Sequence, residues 1–285
     1  MDARLRPIAT ADIDACARVM YEAFRSIADP HGFTPPFTSV EGATNVVKML
    51  VDSSAGHGIV AEEDGRVVGA VFVAEGDPIR AIALIGVDPR RQGRGIGRQL
   101  MRAALDRVRD APGVRLIQEA FNAASLSLYA SLGFEVKEPL ALVKGKLSVD
   151  PTLALRRLTA GDLPACAALY AHVHGVERTA DLRDALKAFA PFAAVRDGRV
   201  VAYTYRMYGG GLAWGVAETE DDMKALLAGI GKTIPEPLSF LVPVRQASFF
   251  QWCLGSGLRV EKPMTLMARG WYQEPRGPWF PSGFY

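Results

Sequence analysis

Apolar residues recur along this chain at two periods, and the switches between them mark out its elements. Three strand-like runs lie between Ile59 and Val87, the first two joined by the two-residue hairpin turn Asp64-Gly65. Ile96, Leu100, Met101, Ala104, Leu105 and Val108 then fall at helical spacing, with Arg102 and Asp106 one turn apart on the polar side. Upstream, Ala3 to Ile8 reads as a short strand. Thr10 is placed to cap a helix to about Ser26, whose Ile13, Cys16, Met20, Phe24 and Ile27 share one face. The stretch Asp29 to Phe37 is too rich in proline and glycine to be helical, and Thr38-x-x-Glu41 predicts a capping box opening a second helix through about Asp52. Downstream come a strand from Val114 to Glu119, a helix from Asn122 to Ser131 and two strands around Val136 and Leu142. The pattern predicts a layered α/β (α+β) domain.

After Val149-Asp-Pro151 the pattern begins again. Leu5-Arg-x-Ile8 with Asp12-Ile-x-Ala-Cys-Ala17 returns as Leu155-Arg-x-Leu158 with Asp162-Leu-x-Ala-Cys-Ala167. The Asp64-Gly-Arg-Val-Val68 hairpin returns as Asp197-Gly-Arg-Val-Val201, Gly86-Val87 as Gly215-Val216, and Gly133-Phe-x-Val136 as Gly257-Leu-x-Val260. Preserved order argues for a duplicated unit whose second copy is shortened. The expected division is 1–147, 148–270 and an aromatic, proline-rich tail 271–285.

The copies differ at one turn. Val87 to Gly97, VDPRRQGRGIG, joins a strand to a helix through Gly93, Gly95 and Gly97, among Arg90, Arg91, Arg94 and Arg98. A helix start offers unpaired backbone N–H groups and a dipole that favours an anion by about 0.3–1 kcal/mol, and glycines let a ligand approach that backbone closely. A Walker A loop is excluded because no Lys-Ser/Thr follows the glycines. A Rossmann fingerprint is excluded because Leu100 stands at the third glycine position. The second copy carries Ala217-Glu-Thr-Glu-Asp-Asp222 instead, acids that satisfy a helix start themselves, with Thr219 as cap, and repel a pyrophosphate.

Gln92-x-x-Gly95-x-Gly97 after Val87-x-Pro89, followed by Asn122-x-x-Ser125-x-x-Leu128-Tyr129-x-x-Leu132-Gly133-Phe134, resembles the GNAT superfamily of acetyl-CoA-dependent acyltransferases. The resemblance covers roughly residues 3 to 146, and the rest only through the repeat. It implies two GNAT-like domains, each a mixed, mostly antiparallel sheet flanked by helices, the second a degenerate copy. It also implies one acetyl-CoA site, with Val87 giving the oxyanion contact, Gln92, Gly93, Arg94, Gly95, Ile96, Gly97 and Arg98 holding the pyrophosphate, Asn122 contacting the pantetheine arm and Tyr129 as general acid.

For the base, Glu119 ends a strand at the expected site and His31 lies in a loop that often lines the acceptor pocket in this fold, while Glu75 and Asp77 lie beside a strand turn. His31 and Glu119 are the preferred candidates. The implied activity is transfer of acetyl to a primary amine, small molecule or peptide, by direct attack on the thioester. The alternatives are a non-catalytic coenzyme A-binding or regulatory module and an acyltransferase using another donor.

Composition narrows the remainder. A net charge of +2 in 285 residues argues against a dedicated nucleic-acid partner. Three cysteines (Cys16, Cys166, Cys253) within apolar helical patterns suggest reduced buried thiols and a cytoplasmic protein, and neither a signal-peptide pattern nor a bilayer-length apolar run is present, so no membrane role is expected. His172 and His174, two apart on a helix, do not share a face, and no metal is expected. A homodimer is compatible with these motifs, which do not specify the oligomeric state. The tail carries Trp271, Tyr272, Trp279, Phe280, Phe284 and Tyr285, too aromatic to stay in water. It is expected to cross to the first half and wall the acceptor pocket.

Overall fold

The computed structural model describes residues 3–189, 191–205 and 212–284. The first half runs β1 (Arg4–Pro7), α1 (Ile13–Ala28), α2 (Val40–Asp52), β2 (Gly56–Glu63), β3 (Arg66–Ala74), β4 (Arg80–Val87), α3 (Ile96–Arg107), β5 (Gly113–Glu119), α4 (Ala123–Ser131) and β6 (Glu135–Gly145). The second runs β7 (Ala154–Arg157), α5 (Leu163–His174), α6 (Ala180–Ala188), β8 (Phe192–Arg196), β9 (Arg199–Thr204), β10 (Gly215–Ala217), α7 (Glu220–Thr233), β11 (Leu238–Pro243), α8 (Ala247–Gly255), β12 (Arg259–Gly270) and β13 (Trp279–Phe280).

The repeat is structural as well as sequential. Arg6 pairs with Asp12 at 2.6 Å and Arg156 with Asp162 at 2.7 Å. In both copies that aspartate accepts the amide three residues earlier, on Ala9 and Thr159, and so fastens a short 3-10 turn ahead of the helix. Both hairpins turn on a left-handed aspartate, Asp64 at φ 49° and Asp197 at φ 51°. Three local expectations are corrected. Asp12, rather than Thr10, fastens the turn before α1, and the cap of α2 is Ser39, whose hydroxyl accepts the Gly42 amide at 3.0 Å. The two strands expected around Val136 and Leu142 are one long β6.

The halves do not each keep a sheet of their own. One sheet has the order β1-β2-β3-β4-β5-β12-β6-β11, and the other β13-β10-β9-β8-β7. Strand β12 of the second copy lies between β5 and β6 of the first, with Met264 opposite Glu119 on β5 and Leu140 on β6, while β11 pairs with β6, Leu241 opposite Leu142. Each copy thus gives its last strand to the other's fifth. Either partner satisfies the same ladder hydrogen bonds and inward apolar positions, so exchange is neutral in local pattern and decided by the shared core. That core is continuous across the exchange, with Val143 and Phe240 in one cluster and Leu142, Leu241 and Leu266 in the next. Almost every pairing is antiparallel. The exception, β4 with β5, is parallel over Arg80–Val114 and Ala81–Arg115, beyond which no pairing between the two strands is recorded.

Candidate active site

The divergence of β4 from β5 opens the site. Where the chain leaves β4, Asp88 N–H donates to Val68 C=O at 2.8 Å, which makes Val87 opposite Gly69 a non-hydrogen-bonded pair of the β3–β4 ladder. The Val87 amide and carbonyl therefore point away from β3, towards the gap beside β5. Gln92 Nε2 takes the carbonyl at 3.1 Å and ties the following turn back to the strand.

Gly93 (φ 77°) and Gly95 (φ 85°, at the cap of α3) hold left-handed conformations that L side chains rarely adopt, and a Cβ at either would meet nothing within 4 Å. The turn is bent by glycine and open above. The amides of Ile96, Gly97 and Arg98, in the first turn of α3, have no carbonyl four residues back within their own helix. They can serve an anion. Of the four arginines, Arg90 is held by Asp88 at 2.9 Å and Arg91 by Glu63 at 3.3 Å. Arg94 and Arg98 form no salt bridge among the described residues.

Two cavities meet here. A cavity of about 320 Å³ is lined by Val87, Gln92, Gly93, Gly95 and the first turn of α3, and one of about 650 Å³ reaches from the loop 34–38 across to the second half. Phe24, Ile85, Glu119, Asn122, Ser125 and Tyr129 line both. Tyr129, on α4, is buried, and burial alone pushes its phenol above the ordinary value of 10, so the hydroxyl keeps its proton through neutral pH. Asn122 Oδ1 caps α4 by accepting the Ser125 amide at 3.1 Å, which leaves the amide nitrogen of the same side chain for a ligand.

Glu119 is 6% exposed and forms an ion pair with Lys262 Nζ, itself 5% exposed. The same ammonium donates to Thr34 C=O at 3.2 Å. An ionised carboxylate so deep requires such a partner. Lys262 comes from β12, on the far side of the repeat. Its one signal in the sequence is a lysine within a strand pattern that is otherwise half apolar.

The structure therefore brings Val87, Gln92, Gly93, Gly95, Ile96, Gly97, Arg98, Asn122, Tyr129 and Glu119 around two joined cavities. Two other candidates stand apart. Arg94 is exposed on the turn and lines neither cavity, and His31 lines neither as well: its Nδ1 lies 2.8 Å from Ile27 C=O and its ring packs on Phe121 at 5.2 Å. Glu75 and Asp77 are engaged in structural roles, Glu75 with Arg107 and Asp77 as acceptor of the Thr179 and Ala180 amides at the start of α6.

The tail divides. Trp271 N–H donates to Pro112 C=O and its own carbonyl accepts from Arg115 Nη1, while Gly283 and Phe284 reach the larger cavity, as expected of a crossing segment. Trp279 and Phe280 instead form β13 against β10 of the second half, which corrects the expectation that the aromatic bulk of the tail serves the first. Tyr285 lies outside the described residues. All three cysteines are free and buried, and burial pushes each thiol up to about 12. No helix among the described residues is long and apolar enough to cross a membrane.

Residues 20–134 match the acetyltransferase (GNAT) family. A mycothiol acetyltransferase of Thermomonospora curvata is 42% identical over 78 residues, 26% of each chain. The N-alpha-acetyltransferase RimI of Mycobacterium tuberculosis is 53% identical over 51 residues, 18% of this chain and 32% of that protein. The matched stretches thus span about a quarter to a third of these relatives. Over the full length, the fold is shared with a provisionally assigned acetyltransferase of Pyrococcus horikoshii (TM-score 0.71, 15% identity, covering 100% of this chain and 93% of that one). A GCN5-related N-acetyltransferase of Sphaerobacter thermophilus also shares it (TM-score 0.63, 15% identity, 95% and 96% covered). The motifs, the open cradle and the family match all fall in the first half, and it is this part of the chain, residues 20–134, that carries a GNAT acetyltransferase-family domain.

Proposed function

We propose that this protein transfers an acetyl group from acetyl-CoA to a primary amine, using one coenzyme site formed by its first half. The observation that carries the reading is the junction of the two cavities at Glu119 and Tyr129, with the phosphate-suited turn on one side and an acceptor-sized space on the other. The relatives differ in their named acceptors, so acetyl transfer is what they share.

In this reading the amides of residues 93–98 and the Arg98 guanidinium hold the pyrophosphate, with Arg94 adding longer-range attraction, and the Asn122 amide meets the pantetheine arm. The Val87 N–H, which no neighbouring strand occupies, polarises the thioester carbonyl. Glu119, paired with Lys262, takes a proton from the incoming ammonium, directly or through water. Glu119 is preferred to His31 because it lines both cavities. The neutral amine attacks the carbonyl carbon, the C–N bond forms and the C–S bond breaks. Tyr129 gives its proton to the departing sulfur and recovers one from the newly formed amide nitrogen.

The test is thiol release from acetyl-CoA across a panel of primary amines. Release that depends on an amine is expected. Coenzyme binding with no release from any amine would overturn transfer and leave a coenzyme-binding module.

A further inference from the structure

The floor of the larger cavity is a product of the strand exchange. Glu119 stands opposite Met264, and Lys262 opposite Leu142, which in turn stands opposite Leu241. Lys144 is opposite Ser239. Directly paired residues of antiparallel strands share a face, as do residues two apart on one strand. These side chains therefore form one continuous surface across β5, β12, β6 and β11, and all of them line the cavity. Neighbouring strands lie about 4.8 Å apart, so the floor extends about 14 Å from the reacting end at Glu119 to the strand that carries Ser239.

Its chemistry changes along that length. The Glu119–Lys262 pair stands at one end, and the middle, Met264, Leu142 and Leu241, is apolar under a roof that includes Phe37 and Val46. At the far end the Lys144 charge is paired with Glu261 at 3.6 Å, and among the described residues the hydroxyl of Ser239, 5% exposed, has no hydrogen-bond partner and the exposed Glu236, just before β11, forms no salt bridge. A buried hydroxyl left unpaired is costly, and a carboxylate at the cavity rim favours a cation or a donor.

Resting on the acetyl-transfer reading, we infer that the acceptor is an elongated amphiphilic amine: a primary amine at one end, an apolar body on the order of 10–15 Å long, set by the strand spacing, and a cationic or hydrogen-bond-donating group at the other end. The Glu119 end of the larger cavity takes the amine, and the exchanged strands read the rest. Such a molecule displaces water from the apolar middle and gives Ser239 and Glu236 partners that the described residues do not.

Ethylamine, hexylamine, decylamine and diaminodecane, compared by KM with acetyl-CoA saturating, test this. Each methylene that enters the floor should lower KM by about threefold to fourfold, and diaminodecane should be used better than decylamine. In the Leu241→Trp variant, which fills the middle of the floor, the ratio of ethylamine KM to decylamine KM should fall at least tenfold. In the Glu236→Gln variant the advantage of diaminodecane over decylamine should shrink. Turnover that is flat or falling along the series would overturn the elongated acceptor while leaving acetyl transfer standing. No turnover with any of the four, with coenzyme still bound, would overturn both.

Discussion

The two copies of the repeat meet at equivalent strand ends and treat them in opposite ways. In the first, Asp88 N–H donates to Val68 C=O and the Val87 amide is turned towards a gap. In the second, Glu218 N–H donates to Val201 C=O in the same manner, which puts Ala217, rather than Val216 as the sequence match implies, in the place of Val87. The Ala217 amide is not available. It donates to Pro278 C=O at 3.0 Å, because β13 of the tail lies along β10 where the first copy has its opening. Phe280 packs on Phe240 at 4.9 Å and fills the space over Gly215, where a Cβ would come within 2.6 Å of its ring.

The turns that follow differ in the same sense. Residues 88–95 separate β4 from α3 and include the glycine bends, whereas only Glu218 and Thr219 separate β10 from α7. There Thr219 accepts the Asp222 amide at 3.2 Å, and the buried Asp222 carboxylate pairs with Arg196 at 2.9 Å. The helix start that could take an anion in the first copy takes its own side chains in the second. In the proposed reading the first copy keeps the coenzyme site, and at the equivalent place in the second copy β13 of the tail covers the strand end.

The largest effect should come from Tyr129→Phe, which removes the proposed proton donor from the open copy and should lower kcat by about 10²–10⁴-fold with little change in acetyl-CoA affinity. An unaltered rate, with chemistry shown to be limiting, would reduce Tyr129 to a packing residue. Because burial raises its pKa above 10, the acid form should persist on the alkaline side, so no loss of kcat below pH of about 10 should trace to this group. A limb present in the parent and absent from the Phe variant would contradict that.

Phe280→Ala attacks the covered copy. Truncation of a fully buried aromatic costs about 3–5 kcal/mol. Denaturant unfolding should show that loss, while acetyl-CoA affinity of the folded protein stays near the parent value. A loss of coenzyme affinity without a loss of stability would mean that the tail strand serves the open site.

A smaller effect comes from His174, stacked on Tyr170 at 4.3 Å and edge-on to Trp279, the neighbour of Phe280. Burial, with help from Arg178 and Arg115, lowers its pKa to about 3 from 6.5. Between those values the unfolded chain binds a proton that the folded chain does not, so stability is full above pH of about 6.5 and declines as the pH falls towards about 3. Acid unfolding of His174→Phe should be shallower across that window; an unchanged slope would locate the acid sensitivity elsewhere.

What could be read in the sequence followed from how local each requirement is. The cradle was legible because left-handed bends at Gly93 and Gly95 write themselves as glycine, and the helix of Leu100 and Ala104 because its stripe is set by its own period. The mostly antiparallel, mixed sheets came from the family resemblance. The exchange of β6 and β12 was not legible, since both strands carry compatible alternations and neither pattern names its partner. Lys262 is 143 residues from Glu119, and no local rule joins them. Composition said that Trp279 and Phe280 are buried but not against which copy. Asn122 was read for a ligand contact, and its capping oxygen emerged only with the geometry of α4.

Calorimetric titration of the intact chain with acetyl-CoA tests the contrast between the copies most directly. One open turn and one covered turn predict a single equivalent bound per chain, with affinity reduced by at least tenfold in Arg98→Glu, which reverses a charge at the cradle. Two equivalents, or an undiminished single site in that variant, would contradict the assignment of the coenzyme to the first half alone.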